Sequence, residues 1–306
     1  MAVSPRILVI LGPTASGKSA LAMALARQFS ADILSVDSMQ VYRGMDIGTA
    51  KPAADEQRQV RHHLIDVAEP NETFAVAKFV EQADHVVTDA QTRGFPLIAA
   101  GGTPLYYKAL FEGLFDGPSA DASLRSRLSE QPLEDLYERL CEIDPSAAAR
   151  IHLNDRKRLV RALEVFELTG KPISSFQTAW ADGAMRHDAV WFGLHWDREA
   201  LNRRINGRVK QMIDSGWLEE TRGLLQRYGT LSRTAAEATG YAELMAHLEG
   251  KLSLDDATEQ IKIATRQLAR RQMKWFRRFK HVQWLQGDRP LKDLVTDVVD
   301  RLSPAV

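Results

Sequence analysis

The chain opens with an unbroken apolar run, Ile7 to Leu11, followed after a short polar loop by an alanine- and leucine-rich stretch with apolar residues at helical spacing. A short continuous apolar run bounded by turn residues predicts a strand buried on both faces, and the periodic stretch predicts a helix behind it. Further strands are predicted at Ile33 to Val36, His63 to Val67 and Pro96 to Ala100, with helices between them, among them Val76 to Arg93. From about Pro118 to Arg186 the pattern is helical only: Leu133 to Glu142 reads as a helix capped near Asp135, and Thr169-Gly170-Lys171-Pro172 reads as a stop. Strands return at Ala189 to His195 and His281 to Leu285. Alternation of this kind implies an α/β fold, a parallel sheet core with helices on both faces. The layout is a core of residues 1–117 and 187–306 interrupted by a helical insertion, 118–186.

Composition narrows the class. The chain has 306 residues, 44% hydrophobic and 26% charged, which fits a globular protein large enough for two units. No stretch approaches a membrane span, and the first apolar run lacks a cleavage site, so a cytoplasmic, non-membrane protein is expected. Cys141 is the single cysteine, which excludes an internal disulfide and a cysteine-cluster zinc site. Its place in a predicted helix suggests a buried, inert thiol. The adjacent pairs His62-His63 and Trp191-Phe192 read as core or turn residues, since neighbours on a strand point apart.

The loop after the first strand carries candidate chemistry. GPTASGKS, Gly12 to Ser19, fits the phosphate-loop pattern G-x-x-x-x-G-K-[ST], and the strand before it and the helix after it are the context that pattern requires. The loop Gly12, Pro13, Thr14, Ala15, Ser16 and Gly17 curls so that its backbone N–H groups, present at every position but Pro13, point at an anion at the positive end of the helix. Lys18 adds a point charge, and the Ser19 hydroxyl can ligate Mg²⁺. This identifies a polyphosphate without saying whose. A hydrolase of this architecture ends an apolar strand in a metal-binding carboxylate. Here the best candidate, His63-Leu64-Ile65-Asp66, starts too polar to persuade. The second strand instead delivers Asp37-Ser38-Met39-Gln40 beside the loop, where Asp37 can serve as general base or simply cap a turn.

Charge is zero overall, 40 basic against 40 acidic residues, but unevenly spread. Ala264 to Lys280 holds seven Lys/Arg and no acid. On a helix Arg266, Arg270, Lys274 and Arg278 form one stripe, opposite Leu268, Trp275, Phe276 and Phe279. A solvated face, a membrane-surface helix and a nucleic-acid contact all fit such a stripe. Basic groupings recur at Arg156, Lys157, Arg158 and Arg161, and at Arg203, Arg204, Arg208 and Lys210, which favours nucleic acid.

GPTASGKS followed by VDSMQVYRGMDIGTAKP (Val36 to Pro52), AGGTPLYYKAL (Ala100 to Leu110), RLVRALEV (Arg158 to Val165), RINGRV (Arg204 to Val209), Gly240-Tyr241 and ATRQLARRQMKWFR resembles the bacterial tRNA dimethylallyltransferases, the tRNA isopentenyltransferase family. The resemblance runs in order through nearly the whole chain. It implies transfer of a dimethylallyl group from dimethylallyl diphosphate to N6 of the adenosine 3′ of the anticodon, with the loop cradling an isoprenoid diphosphate and Mg²⁺ at Ser19. Implied roles are Asp37 as base, Lys18 and Arg208 on the leaving diphosphate, and Thr14 and Thr103 as orienting groups. Implied tRNA contacts are Asp37, Ser38, Met39, Gln40, Thr103, Arg125, Lys157, Arg158, Leu159, Val160, Arg161, Gly240, Tyr241, Arg270, Arg271, Gln272, Lys274, Trp275 and Phe276. The insertion would meet the anticodon stem-loop, and a monomer is expected. Leu153, where proline is usual, and Ala242, where a basic residue is common, depart from the pattern in RNA-facing segments. A phosphate-loop kinase, a non-catalytic RNA-binding protein and an enzyme prenylating free AMP are the competing readings. The seven-charge segment argues against the last, because one nucleotide offers few phosphates.

Overall fold

A computed structural model describes residues 7–113, 117–180 and 185–302. The remainder of the expected core and insertion (1–6, 114–116, 181–184 and 303–306) lies outside the described residues. The chain divides into two compact units, Met1–Leu110 with His187–Val306, and Phe111–Arg186.

The first unit runs β1 (Ile7–Leu11), α1 (Lys18–Phe29), β2 (Asp32–Ser35), α2 (Ala54–Gln59), β3 (His62–His63), α3 (Val76–Arg93), β4 (Leu97–Gly101) and the start of α4 (Pro104–Glu112). The second unit holds α5 (Ala122–Ser129), α6 (Leu133–Ile143), α7 (Pro145–Ala148), α8 (Arg156–Thr169) and a 3₁₀ helix over Ile173–Trp180. The first unit then resumes with β5 (Ala189–His195), α9 (Arg198–Asp214), α10 (Trp217–Tyr228), α11 (Arg233–Ala236), α12 (Tyr241–Leu248), α13 (Leu254–Phe276), β6 (Gln283–Gln286) and α14 (Leu291–Leu302). All six strands pair in parallel in the order β3-β2-β4-β1-β5-β6. No helix among the described residues is long and apolar enough to cross a membrane.

Alternation along the strands builds two apolar faces. Leu8, Ile10, Ile33, Ile98 and Phe192 pack with Leu21 and Leu25 of α1 and Leu294 and Val298 of α14. On the other face Trp191 meets Tyr107 and Phe279, and Tyr107 meets Phe276, at centroid distances of 5.4–6.1 Å. That aromatic cluster anchors the end of α13 to the sheet. The Tyr107 hydroxyl donates to Ile10 O across β1 and β4 at 3.1 Å.

Several sequence expectations shift. The strand predicted over His63 to Val67 is only His62–His63, because the backbone turns left-handed at Leu64 and Asp66, φ 61° and 56°. The last strand starts two residues later and ends one later than expected, at Gln283–Gln286, and α13 ends at Phe276, so Arg278 leaves the helical stripe. Asp135 is not a cap; it lies in the first turn of α6, whose N-cap position is Pro132. Cys141 is exposed, because it follows Leu140 by about 100° around a helix that buries Leu136 and Leu140.

The helical unit has its own core of Leu128, Leu136, Leu140, Leu159, Val160, Leu163 and Ile173. Asp121, Asp144 and Asp155 cap α5, α7 and α8 through their carboxylates. Glu164 is fully buried on α8 and accepts from Arg125 Nε at 2.9 Å, Arg161 Nη1 at 2.6 Å and Asp121 N at 2.8 Å. Burial pushes its pKa up, but the two guanidinium groups and the amide outweigh it and hold the carboxyl below its ordinary 4.5. Its stabilisation is therefore complete above pH 4.5 and is lost as pH falls through the folded value. Glu164→Gln should cost about 2 kcal/mol at neutral pH, a buried-pair loss discounted for partly solvated arginines. Denaturant unfolding across pH should then give a shallower acid-side fall for the variant than for the parent.

Candidate active site

Parallel pairing brings distant motifs together. β2 and β1 flank β4, and their carboxyl ends carry Asp37-Ser38, the phosphate loop and Gly102-Thr103. Ligands of open α/β sheets bind beyond such ends. Val36 N donates to Ala100 O and Thr103 N to Val36 O, at 2.9 and 3.2 Å. The Thr103 hydroxyl accepts from Ser38 N at 2.9 Å, so the expected orienting residue stitches the ends of β2 and β4.

The phosphate loop is held from outside through its carbonyls. Trp196 Nε1 donates to Ser16 O at 2.9 Å and Arg204 Nε to Ala15 O at 3.0 Å, with the Arg204 guanidinium 4.5 Å over the Trp196 ring. Ala15 and Gly17 take left-handed backbone, φ 62° and 91°, which curls the loop. Arg204 and Arg208 of α9 line the cavity that Ala15 to Ser19 open onto.

The Lys18 ammonium sits deep in this cleft. Loss of hydration lowers its pKa to about 8, opposed by Asp37 and reinforced by Arg208. Arg208 is likewise lowered by burial, opposed by Asp37 and reinforced by Arg204. Asp37 uses Oδ1 to accept from Met39 N at 2.9 Å, the local turn bond that was one reading of this residue. Its Oδ2 lies on the side of Gly102, 3.5 Å from where a β-carbon would stand. The carboxylate thus both shapes the turn and faces the cleft.

From Lys18, Asp37 and Arg208 the cleft continues into apolar lining: Met39, Ile205, Val209, Met212, Trp217 and Leu268. Ile205, Arg208, Val209 and Met212 share one face of α9, so one helix supplies charge and apolar wall alternately. Asp66, the carboxylate a hydrolytic reading would need, is on the sheet's β3 edge and paired with Lys51 Nζ at 2.6 Å.

The sequence profile of one family, IPP transferase, matches residues 40–279. The chain belongs to the IPP transferase family. It is 47% identical over 285 residues to a tRNA dimethylallyltransferase of Geobacter metallireducens, covering 92% of each chain. Among solved structures it resembles the full-length tRNA isopentenylpyrophosphate transferase of Bacillus halodurans, with TM-score 0.73, 36% identity and coverage of 97% and 95%. It also resembles a eukaryotic dimethylallyltransferase acting on tRNA, with TM-score 0.79, 27% identity and coverage of 98% and 78%.

The structure places the residues expected from family resemblance in several different settings. Thr14 to Ser19, Asp37, Met39, Gln40, Arg208 and Gln272 line the cleft, with Gly12 and Pro13 buried behind the loop. Arg270, Arg271 and Lys274 are exposed on α13, with Trp275 half-buried and under Arg278 at 5.0 Å. Leu159, Val160, Tyr241 and Phe276 are buried, their side chains committed to packing. Lys157 and Arg158 are exposed on α8, while Arg125 and Arg161 face Glu164. Ser35 Oγ donates to the Gln40 carboxamide oxygen, and Gln40 Nε2 donates to the carbonyls of Thr49 and Ala50.

Three side chains support the wall of the cleft, and two of them, Glu220 and Trp217, carried no signal in the sequence. Glu220 accepts from the amides of Asp46, Ile47 and Gly48 at 2.9, 2.7 and 3.2 Å and from the Tyr241 hydroxyl at 2.6 Å. Trp217 fills the gap between Gly48 and Gly240, where β-carbons would lie 2.2 and 2.1 Å from its ring. Lys51, its side chain 2% exposed, donates to Tyr42 O, Asp46 and Asp66. Together they fix the loop that walls the cleft opposite α9.

The Lys18 value yields a direct test. Below about pH 8 the free site holds an ammonium, and above it a neutral amine. Affinity for inorganic diphosphate should weaken as pH rises through that value, and Lys18→Arg, which stays charged, should flatten the profile. Calorimetric titration on both sides of the transition checks it.

Proposed function

We propose that the chain transfers a dimethylallyl group from dimethylallyl diphosphate to N6 of the adenosine 3′ of the anticodon in tRNA. Prenyl transfer to tRNA follows from the family; the donor, the residue roles and Mg²⁺ are the further reading. The observation that carries it is one cleft in which a phosphate loop, Lys18 and Arg208 adjoin both Asp37 and an apolar wall. A donor with an anionic head and a five-carbon tail needs both surfaces.

In the reaction a bond forms between N6 and the allylic carbon as the bond from that carbon to the diphosphate oxygen breaks. Adenine N6 is a weak nucleophile, its lone pair delocalised into the ring, so the leaving group must carry much of the driving force. Loop amides, Lys18 and Arg208 meet the charge that grows on the diphosphate. Asp37 takes the proton that N6 gives up, and Thr14 and Thr103 orient the reacting groups. The target base, stacked in its loop, must be flipped into the cleft, with Ser38, Met39 and Gln40 as its wall. The Ser19 hydroxyl, which opens onto the phosphate-loop cavity, would hold Mg²⁺ beside a bound diphosphate. When bound, that ion adds charge neutralisation on the leaving group. Arg270, Arg271 and Lys274 carry RNA phosphates, with Lys157 and Arg158 on the helical unit. A cytoplasmic monomer completes the reading.

Incubation with unmodified tRNA, dimethylallyl diphosphate and Mg²⁺, followed by mass analysis of the digested nucleosides, tests the reaction. Asp37→Asn should lower the single-turnover rate on the order of 10²–10⁴ while tRNA binding persists. A near-normal rate removes Asp37 as base, and RNA-independent release of ADP from ATP points to a kinase.

For the RNA surface, Arg270 and Lys274 replaced together with Gln should weaken tRNA binding across sequences, each lost phosphate contact reducing the log–log salt slope by about 0.7–0.9. Donor affinity should hold. Unchanged slope in a fully folded variant moves the RNA path off α13.

A further inference from the structure

The buried positions of α13 are Ala257, Ile261, Ala269 and Phe276, joined by a single carboxamide, Gln272, near the helix's C-terminal end. Gln272 is 8% exposed and stands one helical turn before Phe276, which the aromatic cluster pins to the sheet. Its Oε1 accepts from Thr14 N at 2.8 Å, and its Nε2 donates to Gly102 O at 2.6 Å. The two bonds fix the amide's orientation, because exchanging O and N would set donor against donor and acceptor against acceptor. Gly102 makes room: a β-carbon there would lie 2.8 Å from Gln272 Nε2, 3.5 Å from Asp37 Oδ2 and 3.6 Å from Lys18 Nζ.

Family resemblance groups Gln272 with the tRNA contacts beside it. Its bonds point inward instead, joining the end of β1 to the end of β4 at the place where Asp37 and Lys18 face each other across Gly102. We infer that Gln272 is a positioning residue for prenyl transfer, setting the phosphate loop against the strand end beside the base before either substrate arrives. This rests on the proposed reaction. Displacement at carbon requires the leaving group, the nucleophile and the base in register, and a slip of about 1 Å costs on the order of 10²-fold. The loop and the end of β4 are separate chain segments, and Gln272 is a single group long enough to hold both. A side chain that does so must donate and accept at once. Glutamate in its ionised form would set an oxygen against Gly102 O, and methionine would offer neither bond.

Gln272→Met and Gln272→Glu test the inference against the RNA-contact alternative. For Gln272→Met the expected result is a single-turnover rate lower on the order of 10²-fold, with tRNA affinity and its salt slope unchanged. For Gln272→Glu the ratio of its rate to the parent's should rise as pH falls, since the protonated carboxyl regains a donor for Gly102, and taking the ratio cancels any pH dependence that the two proteins share. Amide hydrogen exchange over residues 12–19 should show a protected Thr14 N–H in the parent and a faster one in Gln272→Met. Weakened tRNA binding at a parental rate would make Gln272 an RNA contact and overturn the proposal. A parental rate with parental tRNA binding would overturn it too, as would equal, pH-independent losses in both variants that track their melting temperatures. Failure of the parent protein to prenylate tRNA would sink the reaction assignment instead, and the exchange measurement, which needs no substrate, would still decide the role of Gln272.

Discussion

The parallel pairing of β1 and β2 with β4 is the constraint on which the rest depends. In that ladder Leu11 aligns with Gly101 and Ser35 with Ala100, so the three strands end at one level. Adjacent strands lie about 4.8 Å apart. A phosphate loop, a carboxylate and a Gly-Gly-Thr turn that start from those ends must therefore share one cleft, although 91 residues separate Gly12 from Thr103. Gly101 allows the closure, since a β-carbon there would fall 2.1 Å from Val36 O. Hydrophobic burial on both faces fixes the register. The chemistry is then a consequence of where the strands stop.

What the sheet brings together, side chains from α9, α10 and α13 hold in shape. Arg204 and Trp196 take the outward carbonyls of the phosphate loop, which turns the opposite amides toward the cavity. Glu220 gathers three successive amides of the 46–48 segment, the arrangement by which a carboxylate is best satisfied by backbone. Much of the long VDSMQVYRGMDIGTAKP block is therefore scaffold: Gln40, Gly48 and Lys51 build the wall, and Asp37 is the member whose carboxylate faces the cleft beside Gly102.

The order of elements was readable from hydrophobic periodicity, down to the bounds of β1, α3 and β5. Periodicity failed where one backbone torsion decides, as at Leu64 and Asp66, and where one step of helical phase decides, as at Cys141. In the cleft the loop motif and Asp37 were legible from local pattern, and Arg208 only through family resemblance. Glu220, Trp196 and the inward aim of Gln272 were not legible at all. Their partners lie 172–174, 180 and 170–258 residues away, and a hydrogen bond over such separations leaves no local trace.

The charge pattern gains a second meaning from the same geometry. A net charge of zero hides a division of labour among the cations. In the helical unit Arg125 and Arg161 are neutralised by Glu164, and Arg127 and Arg139 by Glu167, all with N···O separations of 2.5–2.9 Å. These arginines hold their own unit together, and RNA phosphates would have to compete with a carboxylate already in place. On α13 no described acid pairs with Arg270, Arg271 or Lys274, so their field extends into solvent, and Phe276 and Gln272 behind them tie the helix to the sheet and the phosphate loop. A polyanion drawn to that surface would meet a helix whose inner face holds the phosphate loop and the end of β4 through Gln272. The exposed cations and the buried contacts to the phosphate loop thus lie on opposite faces of one helix.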